Sequence, residues 1–199
     1  MRIVGLLGGV ASGKSSIARQ LADLGAAVLD ADQAGHQALR LPTVKAAAQQ
    51  RWGDAILDAA GEIDRGRLAR IVFAANPRGE QERKYLEQLT HPEIGRLLKQ
   101  QAAQLQAAGV KLAVLDAAVM LEAGWSEMCQ TLIFVDVPRD LRLQRALARG
   151  WTKEDFAARE GAQESLDRKR RLADAIIDNA GPPRQTRAQL ERLWPSLVQ

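Results

Sequence analysis

Short apolar runs punctuate the chain at residues 2–7, 26–29, 111–115 and 131–135. Each is too brief for a helix, and the first ends in glycines, so each predicts a buried strand. Over residues 15–24 the period changes. Ile17, Leu21 and Leu24 fall on one face and Gly25 stands just beyond, which predicts a helix. The later three runs stop at Asp30, Asp116 and Asp136. Strands alternating with helices predict an α/β protein with a parallel sheet, whose ligands gather at the carboxyl ends of the strands.

Two regions break the alternation. Residues 36–108 contain no strand run but several helical stretches, punctuated by Gly53, Gly61, Asn76-Pro77 and His91-Pro92. They predict a helical insertion between the second and third strands, with a helix boundary at His91-Pro92. Residues 139–171 are helical and dense in arginine.

Composition narrows the picture. A length of 199 residues suits one domain, or one with an inserted piece, and 4% aromatics argue against an all-β sandwich or barrel. The 34 alanines make much of the apolar share small and helix-forming. One cysteine, Cys129, excludes an internal disulfide framework. With only two distant histidines beside it, no cysteine–histidine metal site is expected. No stretch reaches the roughly 18–20 apolar residues that span a bilayer. The first apolar run leads into glycines and a lysine rather than a cleavage site, so a cytoplasmic setting away from membranes is expected. The net charge is +4, and residues 139–171 alone hold 10 basic and 6 acidic side chains, the whole of that excess. The surplus is therefore local and fits an anionic ligand. Without aromatic platforms beside the arginines, nucleic acid is not the expected partner.

The chemistry centres on Gly8-Gly9-Val10-Ala11-Ser12-Gly13-Lys14-Ser15, which matches G-x-x-x-x-G-K-[ST] between the first strand and first helix. Glycines let successive N–H groups turn inward to phosphate oxygens, and the following helix adds its positive end. Lys14 can bridge the β- and γ-phosphates and the Ser15 hydroxyl can hold Mg²⁺. Gly9, Val10, Ala11, Ser12, Gly13, Lys14, Ser15 and Ser16 are thus candidate nucleotide contacts. Asp30 and Asp32 follow the second strand, where a carboxylate could reach Mg²⁺ or an acceptor hydroxyl; either could instead cap the next helix. Asp116 ends its strand in the manner of a metal-holding Walker B aspartate, or as a simple turn residue. Arg142, Arg145 and Arg149 share one helix face. Their forks suit phosphate oxygens, though on composition alone they equally form a solvated basic face; only in a kinase, whose lid must close over a triphosphate, do Arg145 and Arg149 gain a catalytic use.

These residues together resemble dephospho-CoA kinases, almost end to end. The resemblance rests on Gly5 through Ser15, Val28-Leu29-Asp30-Ala31-Asp32, Trp52-Gly53-Asp54-Ala55-Ile56-Leu57, Ile71-Val72-Phe73, Asn76-Pro77 and Leu89-Thr90-His91-Pro92. It continues through Arg159 and Gln163, Lys169, and Ala173 through Asn179. It implies a P-loop kinase three-layer sandwich with a parallel central sheet, a helical acceptor-binding insertion and a helical lid. On that pattern residues 1–35, 109–138 and 172–199 form the core, 36–108 bind the acceptor, and 139–171 form the lid. The implied reaction transfers the ATP γ-phosphate to the 3′-hydroxyl of dephospho-CoA, the last step of coenzyme A synthesis, with Mg²⁺. Asp32 becomes the base and a metal ligand beside Ser15 and Asp116. His36, His91 and Glu122 become acceptor contacts, and Asn179 borders the adenine. A monomer or weak homo-oligomer is expected.

Three departures from the family pattern stand out: Leu7 for threonine, Ala11 for glycine, and Ala118 for the proline of the segment ending in Glu122. Ala11 implies either a negative φ or local strain. On the residues alone, another small-molecule or nucleoside monophosphate kinase stays open, as does a switch ATPase working through a protein partner. A switch is expected to carry an N/T-K-x-D guanine-reading string.

Overall fold

The computed structural model describes residues 1–74 and 76–199; Ala75, within the expected insertion, lies outside the described residues. The chain divides into two compact units, Met1–Asp30 with Gln101–Gln199, and Ala31–Gln100.

The first unit is built on a five-stranded sheet. Its strands are β1 (Arg2–Gly8), β2 (Ala27–Asp30), β3 (Leu112–Asp116), β4 (Thr131–Asp136) and β5 (Ala175–Asp178), in the order β2-β3-β1-β4-β5. Every pairing is parallel. Register sets Asp30 opposite Asp116, Gly8 opposite Val135, and Asp136 opposite Asp178. The carboxyl edge is therefore lined with aspartates and the first glycine of the phosphate loop. The sequence pattern misses β5. Its four residues alternate between half-buried, exposed and buried positions, too short a pattern to separate from a helix end.

Central strand β1 is covered on both faces, which explains its unbroken apolar run. On one face Val4 and Leu6 pack against Ile17 and Leu21 of α1 (Lys14–Asp23) and Leu190 and Leu197 of α9 (Pro183–Val198). Each fully buried leucine or isoleucine there contributes about 1.5–3 kcal/mol. On the other face Gly5 has no room for a side chain, since a Cβ would lie 2.7 Å from Met120 Sδ and 2.8 Å from Cys129 Sγ. The connection after β3 thus rests directly on the strand backbone. Leu7, in the place of the family's threonine, is buried in the core and brings no polar group needing a partner. Ala118 is exposed, and the chain folds back through Met120, which is buried.

Three further helices of this unit occupy the arginine-dense region: α6 (Arg139–Leu147), α7 (Lys153–Gly161) and α8 (Leu166–Leu172). They are not a loose flap. Ala146 and Phe156 form an apolar cluster with Val10 of the phosphate loop, joined by Ala11, Leu143 and Trp151.

The second unit contains α2 (Ala31–Ala38), α3 (Pro42–Trp52), α4 (Arg65–Val72) and most of α5 (Pro77–Ala107). Its core gathers Ala48, Ile56, Leu68 and Val72, with Trp52, Leu86 and Leu89 packed against them. Glu82 is buried but satisfied: it accepts two bonds from Arg51 and one from Trp52 Nε1. The expected helix boundary at His91-Pro92 is corrected, because α5 runs through both residues. Proline removes one helix hydrogen bond and crowds the carbonyl four residues before it, a cost that apolar contacts from Leu86 to Leu98 on both sides of it offset.

Candidate active site

The loop from Gly8 to Ser15 is held from behind by the end of the sheet. Gly13 adopts φ 92°, and a Cβ there would lie 2.5 Å from Asn179 Nδ2, so both backbone and space demand glycine. Asn179 follows β5 and is buried. Its Nδ2 donates to Ser12 O at 2.8 Å, its Oδ1 accepts from Thr186 Oγ1 at 2.9 Å, and its own carbonyl accepts from Arg145 Nη2 at 2.8 Å. Arg145 Nη1 also reaches Ser12 O at 3.4 Å. Asn179 and Arg145 therefore grip the loop backbone. Thr186, a buried residue of α9, completes the brace, and nothing local in the sequence distinguishes it from a helix-surface threonine. Arg149 is exposed beyond the end of α6.

Arg142 is the buried arginine of that helix, 1% exposed. Its guanidinium donates to Val137 O and Val10 O and pairs with Glu160 at 2.8 Å. Gly9 meets this group closely, since a Cβ would lie 2.5 Å from Arg142 Nη1. Glu160 loses hydration there, yet hydrogen bonds from Arg139 and Arg142 hold its carboxyl below the usual range. Ala11 takes φ 58°, the strained alternative of the two expected, and is the one non-glycine residue with positive φ among those described. Its methyl group joins the apolar cluster of α6 and α7. The buried Ser12 hydroxyl has no hydrogen-bond partner, an orphaned group beside the loop that suits an incoming polar ligand.

Lys14 Nζ lies 3.3 Å from Gly8 O and 3.2 Å from Gly9 O. Desolvation, and then the charge of Lys169, lower its pKa to about 8. Lys169 is buried on α8, with Nζ 3.0 Å from Gln163 Oε1 and 3.6 Å from Glu122 Oε1. Glu122 also accepts the Glu164 N–H at 2.7 Å. The expected acceptor contact is thus turned toward the segment between α7 and α8.

Ser15 is exposed in the first turn of α1, Ser16 is half-buried, and Asp116 is half-buried at the end of β3. Among the described residues no group of three or more His, Cys, Asp or Glu could hold a metal ion. Ser15 and the strand-end carboxylates are hard oxygen donors, the kind Mg²⁺ takes in small number while water and substrate phosphate complete its shell.

In the second unit Asp32 is exposed in the first turn of α2, two residues past the end of β2. His36 is exposed on the same helix and hydrogen-bonded to Arg65. His91 is half-buried within α5. An N/T-K-x-D string does occur, at Thr152-Lys153-Glu154-Asp155. It forms the capping box of α7: Thr152 Oγ1 accepts the Asp155 N–H, and Asp155 Oδ2 accepts the Thr152 N–H, each at 3.0 Å. That carboxylate is occupied by the helix end rather than presented to a base.

A family profile described as dephospho-CoA kinase matches residues 2–184. The dephospho-CoA kinase of Bacillus licheniformis is 37% identical over 194 residues, covering 96% of this chain and 94% of that one. That of Symbiobacterium thermophilum is 40% identical over 197 residues, covering 98% and 80%. A solved structure from Thermus thermophilus superposes with a TM-score of 0.80 at 30% identity, covering 100% of this chain and 98% of that one. With the phosphate loop, its brace and the aspartate-lined sheet edge in place, the chain belongs to the dephospho-CoA kinase family.

Proposed function

We propose that the chain transfers the γ-phosphoryl group of ATP to the 3′-hydroxyl of dephospho-CoA, giving coenzyme A and ADP. The observation that carries this reading is a braced phosphate loop within a chain matched to the dephospho-CoA kinase profile over residues 2–184. In the transfer, the acceptor oxygen bonds to γ-phosphorus as the bond to the β–γ bridging oxygen breaks, and the hydroxyl proton leaves to a base. Asp32 is that base; it orients the hydroxyl and takes its proton. Lys14 and the amides from Gly9 to Ser16 hold the β- and γ-phosphates. Mg²⁺ would be held by Ser15 and Asp116, with Asp32 as the third oxygen donor, and would neutralise phosphate charge. Arg145 keeps the loop in shape, and Arg149 reaches the nucleotide when the 139–171 lid closes and excludes water. Asn179 borders the adenine, while His36, His91 and Glu122 serve the acceptor.

Among the described residues no helix is long and apolar enough to cross a membrane. We infer a cytoplasmic enzyme, monomeric or weakly associating.

The test is ADP release with dephospho-CoA and with a panel of nucleoside monophosphates and small alcohols. Turnover confined to dephospho-CoA is expected; turnover on another acceptor with none on dephospho-CoA would overturn the assignment. Asp32→Asn should lower turnover by roughly 10²–10⁴-fold with little change in ATP affinity.

A further inference from the structure

The phosphate loop contains a β-turn. The Ser12 N–H donates to Gly9 O at 3.2 Å, so Gly9, Val10, Ala11 and Ser12 are its four residues. Ala11 stands at the third position with φ 58°, and Val10 is not among the residues with positive φ. A positive φ at the third position alone marks a type II turn. Type I closes the same hydrogen bond with the central peptide flipped, and there the third residue has a φ of about −90°. Glycine adopts either form, whereas alanine favours type I.

A contact from outside the turn holds this peptide over. In a planar trans peptide, Val10 O and the Ala11 N–H point in opposite directions. Val10 O accepts from Arg142 Nη1 at 3.3 Å. The Arg142 guanidinium is fixed in turn by Val137 O at 3.2 Å, by Glu160 at 2.8 Å and by the Phe156 ring, 5.6 Å away. With the carbonyl drawn toward α6, the Ala11 N–H is turned to the opposite side, and it donates to no carbonyl among the described residues. That orientation suits a loop amide meeting a phosphate oxygen. The flipped peptide would present its carbonyl there instead, acceptor against acceptor.

We propose that Arg142, set in place by Glu160, is a positioning residue that keeps the Val10–Ala11 peptide in its phosphate-binding orientation, compensating for an alanine where the backbone favours glycine. The proposal rests on the reading of the loop as a nucleotide site and is independent of the acceptor's identity. Because Glu160 belongs to α7, the same bonds make the grip on nucleotide depend on how α7 is seated.

ADP binding, measured by calorimetry, tests this without any acceptor. Arg142→Met and Glu160→Ala are each titrated with and without Ala11→Gly, alongside urea unfolding. The two changes combined, which leave no unpaired buried charge, serve as a third variant where either alone fails to fold. ADP affinity should fall about tenfold in each variant that keeps Ala11, because only the unflipped fraction binds. When Ala11→Gly is also present, the loss relative to Ala11→Gly alone should shrink to about threefold or less, while the urea midpoint does not recover. A loss of the same size with and without Ala11→Gly, no loss in any variant, or affinity that merely follows the urea midpoint would overturn the proposal. A wild-type chain that binds no ADP would overturn the reading of the loop and the proposal with it. Failure of the acceptor assignment would leave these titrations untouched.

Discussion

Thr186 fixes which way Asn179 faces. The hydroxyl donates to Asn179 Oδ1 at 2.9 Å, and the opposite end of the amide can then only present its N–H groups to Ser12 O, 2.8 Å away. A carbonyl accepts but cannot donate, so the amide has one satisfied orientation. Asn179→Asp places a second acceptor against Ser12 O and should destabilise the protein by about 2–3 kcal/mol. Thr186→Val, nearly isosteric, should cost about 1 kcal/mol. Both are read by urea unfolding, and nucleotide affinity should fall further in Asn179→Asp than in Thr186→Val.

The lowered pKa of Lys14 makes nucleotide binding a proton-linked event. Near pH 8 the lysine is partly neutral in the free protein, whereas phosphate favours its charged form. Binding at pH 8 to 9 should therefore take up a fraction of a proton, seen as a binding enthalpy that varies with buffer ionisation heat. Affinity should decline as pH rises through about 8. For the free protein the sign is opposite: the unfolded chain binds more protons between pH 8 and 10.5, so the Lys14 contribution to stability grows with pH over that window. Urea midpoints of the wild type and Lys14→Met at pH 7.5 and 10 check it. Lys169→Met should move the onset of proton uptake to higher pH by removing a neighbouring positive charge.

Ala11 balances opposed effects. Its left-handed backbone costs about 1–2 kcal/mol. The methyl group returns up to about 0.8 kcal/mol by burial. Glycine in its place would add about 0.5–1 kcal/mol of chain entropy lost on folding. Ala11→Gly should therefore leave the thermal midpoint nearly unchanged. Ala11→Val, whose branched side chain resists positive φ, should lower it by several degrees and loosen nucleotide binding.

The Arg142–Glu160 pair should be sensitive to removal of either partner, but unequally. Arg142→Met leaves a half-buried Glu160 with only Arg139 and exposes unmet carbonyls at Val10 and Val137. A loss of about 3–5 kcal/mol is expected. Glu160→Gln keeps an acceptor and should cost less. Gly9→Ala drives its methyl group into the same guanidinium and should lower both stability and nucleotide affinity, measured by thermal unfolding and titration.

Much of this could be read from residue order alone, where local chemistry determines the outcome. The phosphate loop declares itself through glycine spacing, and β1, β3 and β4 through apolar runs that both faces of a parallel sheet require. What escaped depended on partners distant in sequence. Asn179 is expected beside the adenine, but nothing local shows that its side chain grips Ser12 O, 167 positions away. Arg142 shares a helix face with Arg145 and Arg149, and the spacing alone does not show that it is buried while Arg149 is exposed. Local rules place a boundary at Pro92 because they cannot weigh the apolar contacts that carry α5 past it. The Thr152-Lys153-Glu154-Asp155 string shows the converse, a motif by spelling that serves only as a helix cap.

The brace on the phosphate loop has a consequence for the order in which a working protein can arise. Asn179 leaves the ribosome 167 residues after Ser12, and Thr186 seven residues after that. Over that whole interval a nascent chain displays its glycine-rich loop without the groups that stiffen it. The loop takes its final shape only as β5 and α9 join the sheet.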